Sequence, residues 1–191
     1  MGYRNLKNID DKILDMVLEV GSKIGPQKVT AVKVAEKLDV SNFLIFDHFK
    51  TKKNLIDQAA LHFEKKMMRH FQELVIEGVK QEDLFDGMLD FLIKEAYGTL
   101  YYNAYISTYG YDPTMNNPHA LSFMPQALTF FGIEEGSHST ESVLFIWDYV
   151  TSIVQYYAEM IIRGHFPNTG MTKRKIRSIV FKGLQGYFEE N

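Results

Sequence analysis

The chain contains no cysteine. That removes a disulfide framework, a thiolate zinc site and a thiol nucleophile together, and it suits an intracellular protein. Long uncharged apolar runs are also missing. The most apolar stretch, Val143 to Ile162, carries Asp148, Gln155 and Glu159. Such groups are costly in hydrocarbon, so the stretch reads as a helix buried between protein surfaces, and no membrane span or membrane partner is expected. The opening MGYRNLKNIDDK lacks the apolar centre of a signal peptide, and a cytoplasmic location follows as the expectation.

Catalytic patterns are absent too. There is no Gly-rich phosphate loop, no Gly-x-Ser-x-Gly elbow and no His-Glu-x-x-His. His62 and His70 stand two turns apart on a helix, too far for a standard paired metal site. No enzyme activity, metal site or cofactor is expected. Internal repeats, low-complexity segments and strand-like alternation are likewise missing, which leaves an all-α chain.

What is present is apolar bulk with a charge gradient. Of 191 residues, 46% are hydrophobic, enough for a packed core in one compact domain or two small ones. The net charge of −3 conceals +3 in residues 1–53 (ten Lys/Arg against seven Asp/Glu) and −6 in the remainder (eleven against seventeen). A basic end on an acidic body suits contact with phosphates.

The stretch from Val29 to Leu55 lies in that basic end. Thr30 is a good N-cap, and Ala31, Val34, Ala35 and Leu38 follow at helical spacing. Asp39-Val40-Ser41 breaks the helix: Asp tolerates the left-handed backbone of a sharp turn, and Ser41 can cap a second helix, NFLIFDHF. Thr51 can cap a third, near Lys52. Two short helices joined by a three-residue turn are the sequence form of a helix-turn-helix, whose second helix can enter the major groove of DNA. A preceding helix, expected from Asp10 to Ile24 with Asp10 as cap, offers Ile13, Leu14, Val17 and Leu18 as a packing stripe. Arg4 and Lys7 ahead of it can form a loose arm.

These residues resemble the TetR family of bacterial transcriptional regulators. The match rests on Thr30, Val34-Ala35, Val40-Ser41, Ile45, His48-Phe49, Lys52 and Leu55, with one helix before the motif and many after it. The chain departs from the family at Asp39, usually Gly, and at Phe46, usually Tyr, and it carries Phe43 and Leu44 where small or polar residues are usual. The resemblance implies about nine helices. A three-helix DNA-binding head (1–52) would precede a helical ligand-binding and dimerisation domain (53–191).

The rest of the chain reads as helices. Lys52 to about Gly78 forms a long one, nearly 40 Å at ~1.5 Å per residue, which can act as a rigid element shared by head and body. Asp83 to about Tyr109 is one helical region, open to a break near Gly98. His119 to Phe131 follows. The last two helices, Ser139–Gly164 and Thr172–Phe188, carry apolar stripes, with Thr172 as a cap. The resemblance implies that they pair with their copies as a four-helix homodimer interface, through Ile153, Tyr156, Tyr157, Met160, Ile176, Ile179, Val180, Gly183, Leu184 and Tyr187. From the residues alone, the same stripes can close one protomer's core.

For a double-stranded DNA operator, the candidates are Thr30, Ser41, Asn42, Phe43, Leu44, Phe46, His48 and Lys52. Thr30 offers a hydroxyl and a helix N-terminus to phosphate. His48 and Lys52 can bind phosphate, Asn42 can pair with adenine, and Phe43 and Leu44 can meet thymine methyls. For a small-molecule effector, the resemblance implies a pocket among the body helices. Its candidates are Phe91, Glu95, Tyr101, Tyr102, Tyr105, Phe123, Trp147 and Thr151, though aromatic stripes at this spacing also serve as plain core. A ligand-released repressor is the leading expectation. A helix-turn-helix protein that docks a partner protein, motivated by Phe43, Leu44, Phe46 and Asp47, and a helical small-molecule carrier, are the competitors.

Overall fold

The computed structural model describes residues 3–110 and 140–190. Among the described residues are eight α-helices, one 3-10 turn and no strand. The helices are α1 (Tyr3–Ile24), α2 (Ala31–Leu38), α3 (Asn42–Phe49), α4 (Lys52–Ile76), α5 (Gln81–Lys94), α6 (Ala96–Tyr109), α7 (Thr140–Ile162) and α8 (Gly170–Glu190), with the 3-10 turn at Pro26–Lys28. The all-α expectation therefore holds. The expected helix from His119 to Phe131 lies outside the described residues.

The chain divides into two compact units. One comprises residues 1–66 and 95–111, the other residues 67–94 and 112–191. The first thus gathers more than the three-helix head expected over 1–52. Helix α4 contributes to both, passing from one to the other between Lys66 and Met67.

In the first unit, α1 is longer than its sequence signals suggest. It starts at Tyr3, not at Asp10, so Arg4 and Lys7 belong to a helix and not to a loose arm. Asp10 then cannot be a cap. Its carboxylate instead meets Nδ1 of His48 at 2.5 Å. Ile13 and Val17 are fully buried on the inner stripe. Two outward aspartates hold α4: Asp15 takes a 2.7 Å ion pair from Lys66 and lies 3.0 Å from His62, while Asp11 lies 3.6 Å from that ring.

Helix α6 completes this unit. Its Tyr101 is 0% exposed, and the phenol donates to the Ile56 carbonyl at 2.9 Å. The ring occupies space that only glycine leaves open, since a Cβ on Gly21 would stand 2.4 Å from it. Gly98 does the same for Phe63, whose ring would lie 2.2 Å from an added Cβ. The expected break near Gly98 is therefore displaced. The chain turns at Glu95, with φ −85° and ψ 46°, while Gly98 sits within α6 as a contact point.

In the second unit, Met68, Phe71 and Leu84 form a buried cluster packed by Leu74, Met88 and Trp147. Helix α8 is held to α5 by charge: Lys173 pairs with Asp90, and Arg177 Nη1 lies 3.3 Å from Asp86 Oδ2. Its N-terminus is capped by Thr169, whose hydroxyl accepts from the Thr172 N–H at 3.2 Å. Thr172, expected as the cap, lies inside the first turn because the helix begins at Gly170.

Glu64 on α4 is only 9% exposed. Desolvation pushes its carboxyl above the usual range, against a weaker opposing pull from Lys65. A carboxyl whose folded-state pKa is raised favours the protonated form. Its contribution is therefore fully present below the unfolded value and is lost as pH rises through the folded one. Glu64→Gln should be more stable than the parent protein at neutral pH, with the gap closing toward pH ~4. Urea unfolding at the two pH values tests this, and an unchanged gap would contradict it.

Candidate functional site

Residues 30–54 form the helix-turn-helix through four local contacts. Thr30 is extended, and its hydroxyl accepts from the Lys33 N–H at 3.3 Å, starting α2. Asp39 ends that helix in the left-handed region, φ 54° and ψ 48°, with its N–H returned to the Ala35 carbonyl. Ser41 starts α3 by accepting from the Leu44 N–H at 3.2 Å. Thr51 starts α4 by accepting from the Asn54 N–H at 3.1 Å. Each cap satisfies a backbone donor that a helix end leaves open, worth about 1 kcal/mol apiece. Buried Val34, Ala35, Ile45 and Phe49 fix the inner faces of α2 and α3.

That inner set determines what faces outward. Ser41 and Asn42 are exposed at the start of α3. Phe43 is 73% exposed and Phe46 57%, a large apolar surface for so short a helix. Leu44 is half-buried. Asp47 and Lys50 pair at 2.9 Å, and the Lys50 hydrogen bond and charge hold the Asp47 carboxyl below the usual carboxylate range.

His48 and Lys52 are already anchored. His48 is half-buried with Nδ1 on Asp10, which leaves Nε2 as its outer atom. The Lys52 ammonium donates to the Gln27 carbonyl at 2.6 Å. An ammonium has three donors, so this bond orients it without exhausting it. Around them, residues 26–53 hold six lysines (28, 33, 37, 50, 52 and 53) against three acids (36, 39 and 47), a balance of +3.

The second unit contains a cavity of about 60 Å³. Met67, Met68 and Phe71 of α4 form one wall, and Leu84, Met88 and Leu92 of α5 another. Helix α7 supplies Trp147, Val150, Thr151 and Gln155. Trp147 meets Phe71 edge-on at 6.4 Å. The Thr151 hydroxyl donates to the Trp147 carbonyl at 2.8 Å, so what it can offer inward is an acceptor oxygen. Among the described residues, no charged side chain lines the space.

Of the residues expected at a ligand, Trp147 and Thr151 reach this wall. Phe91 instead stacks on His70 at 4.7 Å. Glu95 lies 4.0 Å from Lys66 in the first unit. Tyr101, Tyr102 and Tyr105 are buried in that unit, Tyr105 donating to Asp57 at 3.0 Å. Their spacing signalled burial correctly but could not say against what. Phe123 lies outside the described residues. The other wall residues were missed as a site by the sequence reading, among them Met67, Met68 and Met88. Their signal, methionines on adjoining apolar stripes, is shared by any core, but unbranched thioethers repack easily around a guest.

The stripes expected to pair two protomers divide. Ile176, Val180 and Leu184 are buried within the protomer. Gly183 lies beneath Tyr149, where a Cβ would stand 1.9 Å from the phenol oxygen. Ile179 and Tyr156 are exposed, and Ile153, Tyr157 and Met160 half-buried. Tyr157 continues the outer surface between Tyr156 at 5.3 Å and Phe166 at 5.8 Å. The side chain of Tyr187 lies outside the described residues.

No family model matches the sequence, and no curated protein matches it. Solved structures do resemble it. A protein assigned to the TetR family of transcriptional regulators, from Rhodococcus sp., gives a TM-score of 0.63 at 17% identity, over 92% of this chain and 96% of that one. A TetR-like transcriptional regulator from Rhodococcus sp. RHA1 gives 0.65 at 14% identity, over 92% and 94%. The fold is TetR-like. At these identities the likeness is one of architecture, and function rests on the site.

Two expectations follow. Asp39→Val should destabilise the protein by about 1–2 kcal/mol, because a β-branched side chain is strained in the left-handed turn. Asp39→Gly, which fits that turn, should stay within about 0.5 kcal/mol of the parent. Equal losses in urea unfolding would refute the turn's role. Trp147 is the sole tryptophan, so a ligand entering the cavity should shift the protein's tryptophan emission. Val154 of α7 also lines the cavity, and Val154→Phe, which fills the space from that wall, should abolish the shift.

Proposed function

We propose that the chain is a homodimeric, TetR-like transcriptional repressor, released from a near-palindromic DNA operator by a small uncharged apolar or aromatic ligand. The observation that carries this reading is the helix-turn-helix itself. Its two caps and left-handed turn hold α3 against α2 in a stretch with six lysines against three acids, which supports contact with phosphates. Asn42 would meet base edges from the start of that helix. Thr30, His48 and Lys52 would hold phosphates, the last two steadied by Asp10 and Gln27.

The effector would enter the cavity bounded by α4, α5 and α7. Its apolar wall favours a ligand without formal charge, since a buried ion would find no partner there. To release DNA, the ligand must bind the two states of the dimer with different affinity, a coupling of typically ~1–3 kcal/mol. The exposed Tyr156, Ile179 and Phe166 support pairing of protomers through α7 and α8.

The exposure of Phe43 and Phe46 favours one competing reading, in which α3 docks a partner protein. Salt separates the two. Each phosphate contact releases counterions, so DNA affinity falls steeply with salt. Purified protein should enrich a near-palindrome from a random duplex library. Affinity for it should fall as salt rises, and should drop in Asn42→Ala and Lys52→Ala. A folded dimer that enriches nothing at low salt would sink operator binding.

A further inference from the structure

We propose that α3 reads A·T base pairs through the 5-methyl groups of thymine, with Phe43 and Phe46 as the reading side chains. The inference rests on the DNA-binding reading above. The opposite face of α3 is fixed by buried Ile45 and Phe49, and this turns Phe43 and Phe46 outward together. Three residues apart, they are about 4.5 Å from one another along the helix axis. That is close to the ~3.4 Å step between bases on one strand, so the two rings can serve neighbouring pairs.

The remaining chemistry of the helix points the same way. Guanine is read mainly by Arg or Lys, cytosine by a carboxylate, adenine by Asn or Gln, and thymine by apolar contact with its methyl. No arginine occurs between residues 5 and 68. The one lysine beside this face, Lys50, is paired with Asp47 at 2.9 Å. That exposed pair turns the cation toward a carboxylate of its own helix, so that each offsets the other's charge beside the rings. Ser41, which can serve either kind of pair, is engaged as the cap of α3; Asn42, Phe43 and Phe46 remain, and all three suit A·T pairs.

Charge selects the occupant. An apolar face on a helix-turn-helix that carries six lysines against three acids over residues 26–53 complements a groove with a floor that carries methyl groups and rims of phosphate. The major groove is about 12 Å wide and admits one helix. A hydrophobic cleft on another protein would complement the rings but not the lysines.

The test uses the full-length protein and an operator obtained by selection. Thymines beneath α3 are replaced by uracil, which removes only the methyl. Affinity should fall roughly fourfold for each contacted methyl. Phe43→Ala and Phe46→Ala should each weaken binding of the thymine duplex and lose the thymine-over-uracil discrimination at one position, while uracil replacement elsewhere keeps its effect. Both side chains are exposed, so neither substitution removes core packing. Equal binding of thymine and uracil duplexes, or selection of G·C pairs under α3, would overturn the inference and leave the regulator reading standing. Failure to bind any duplex would overturn both, and would turn the two rings toward a protein partner.

Discussion

Tyr101 occupies the centre of the first unit, and three helices are arranged around its ring. Its hydroxyl is satisfied by the Ile56 carbonyl of α4, and its ring lies against the gap that Gly21 leaves in α1. Burial pushes the phenol's ionisation far above its ordinary range, so it remains a neutral donor at any pH the protein meets. A buried hydroxyl without a partner costs about 1–3 kcal/mol. The bond to Ile56 therefore fixes the rotation of α4 relative to α6 as well as their separation. Phe63 against Gly98 repeats the arrangement one turn along. The outward aim of α3 depends on this base, because α3 follows α2 on α1 and leads directly into α4.

Two of the groups proposed to hold phosphate are already held within the protomer. His48 is set by Asp10, and Lys52 by a main-chain carbonyl of the 3-10 turn. A free lysine loses considerable rotamer freedom when it binds, and one already oriented loses less. The same economy is absent from the apolar rings of α3, which stand in water until they are covered. The proposed interface would thus combine two anchored polar side chains, His48 and Lys52, with two rings that gain most from burial.

The sequence was most legible where structure is local. Thr30, Asp39, Ser41 and Thr51 could be placed because caps and left-handed turns depend on one residue and its next few neighbours. Legibility fell with distance along the chain. Asp10 looks like a cap, but a longer α1 turns it into a partner for a histidine 38 residues away. Thr172 looks like a cap, but Thr169 precedes it and suits the helix start better. The tyrosines of α6 recur every fourth residue in either a core or a pocket, since periodicity reports burial and not the neighbour. Gly98 suggested a break, although glycine marks close approach as readily as a turn. The cavity was the least visible feature, being a shape left between three stripes that each read as ordinary core.

The first unit is discontinuous, and this has a consequence for how it is made. Residues 67–94 leave it before residues 95–111 return. As the chain emerges N-terminus first, residues 1–66 arrive without the helix that covers Phe63 and Gly21. The unit that carries the helix-turn-helix therefore cannot reach its final form until α6 has been synthesised. Closing that excursion costs entropy that only long-range contacts such as Tyr101 with Ile56 can offset. A fragment ending after α4 would keep all the local signals of a helix-turn-helix while leaving apolar surface uncovered, so the smallest autonomous folding unit is larger than the recognisable motif.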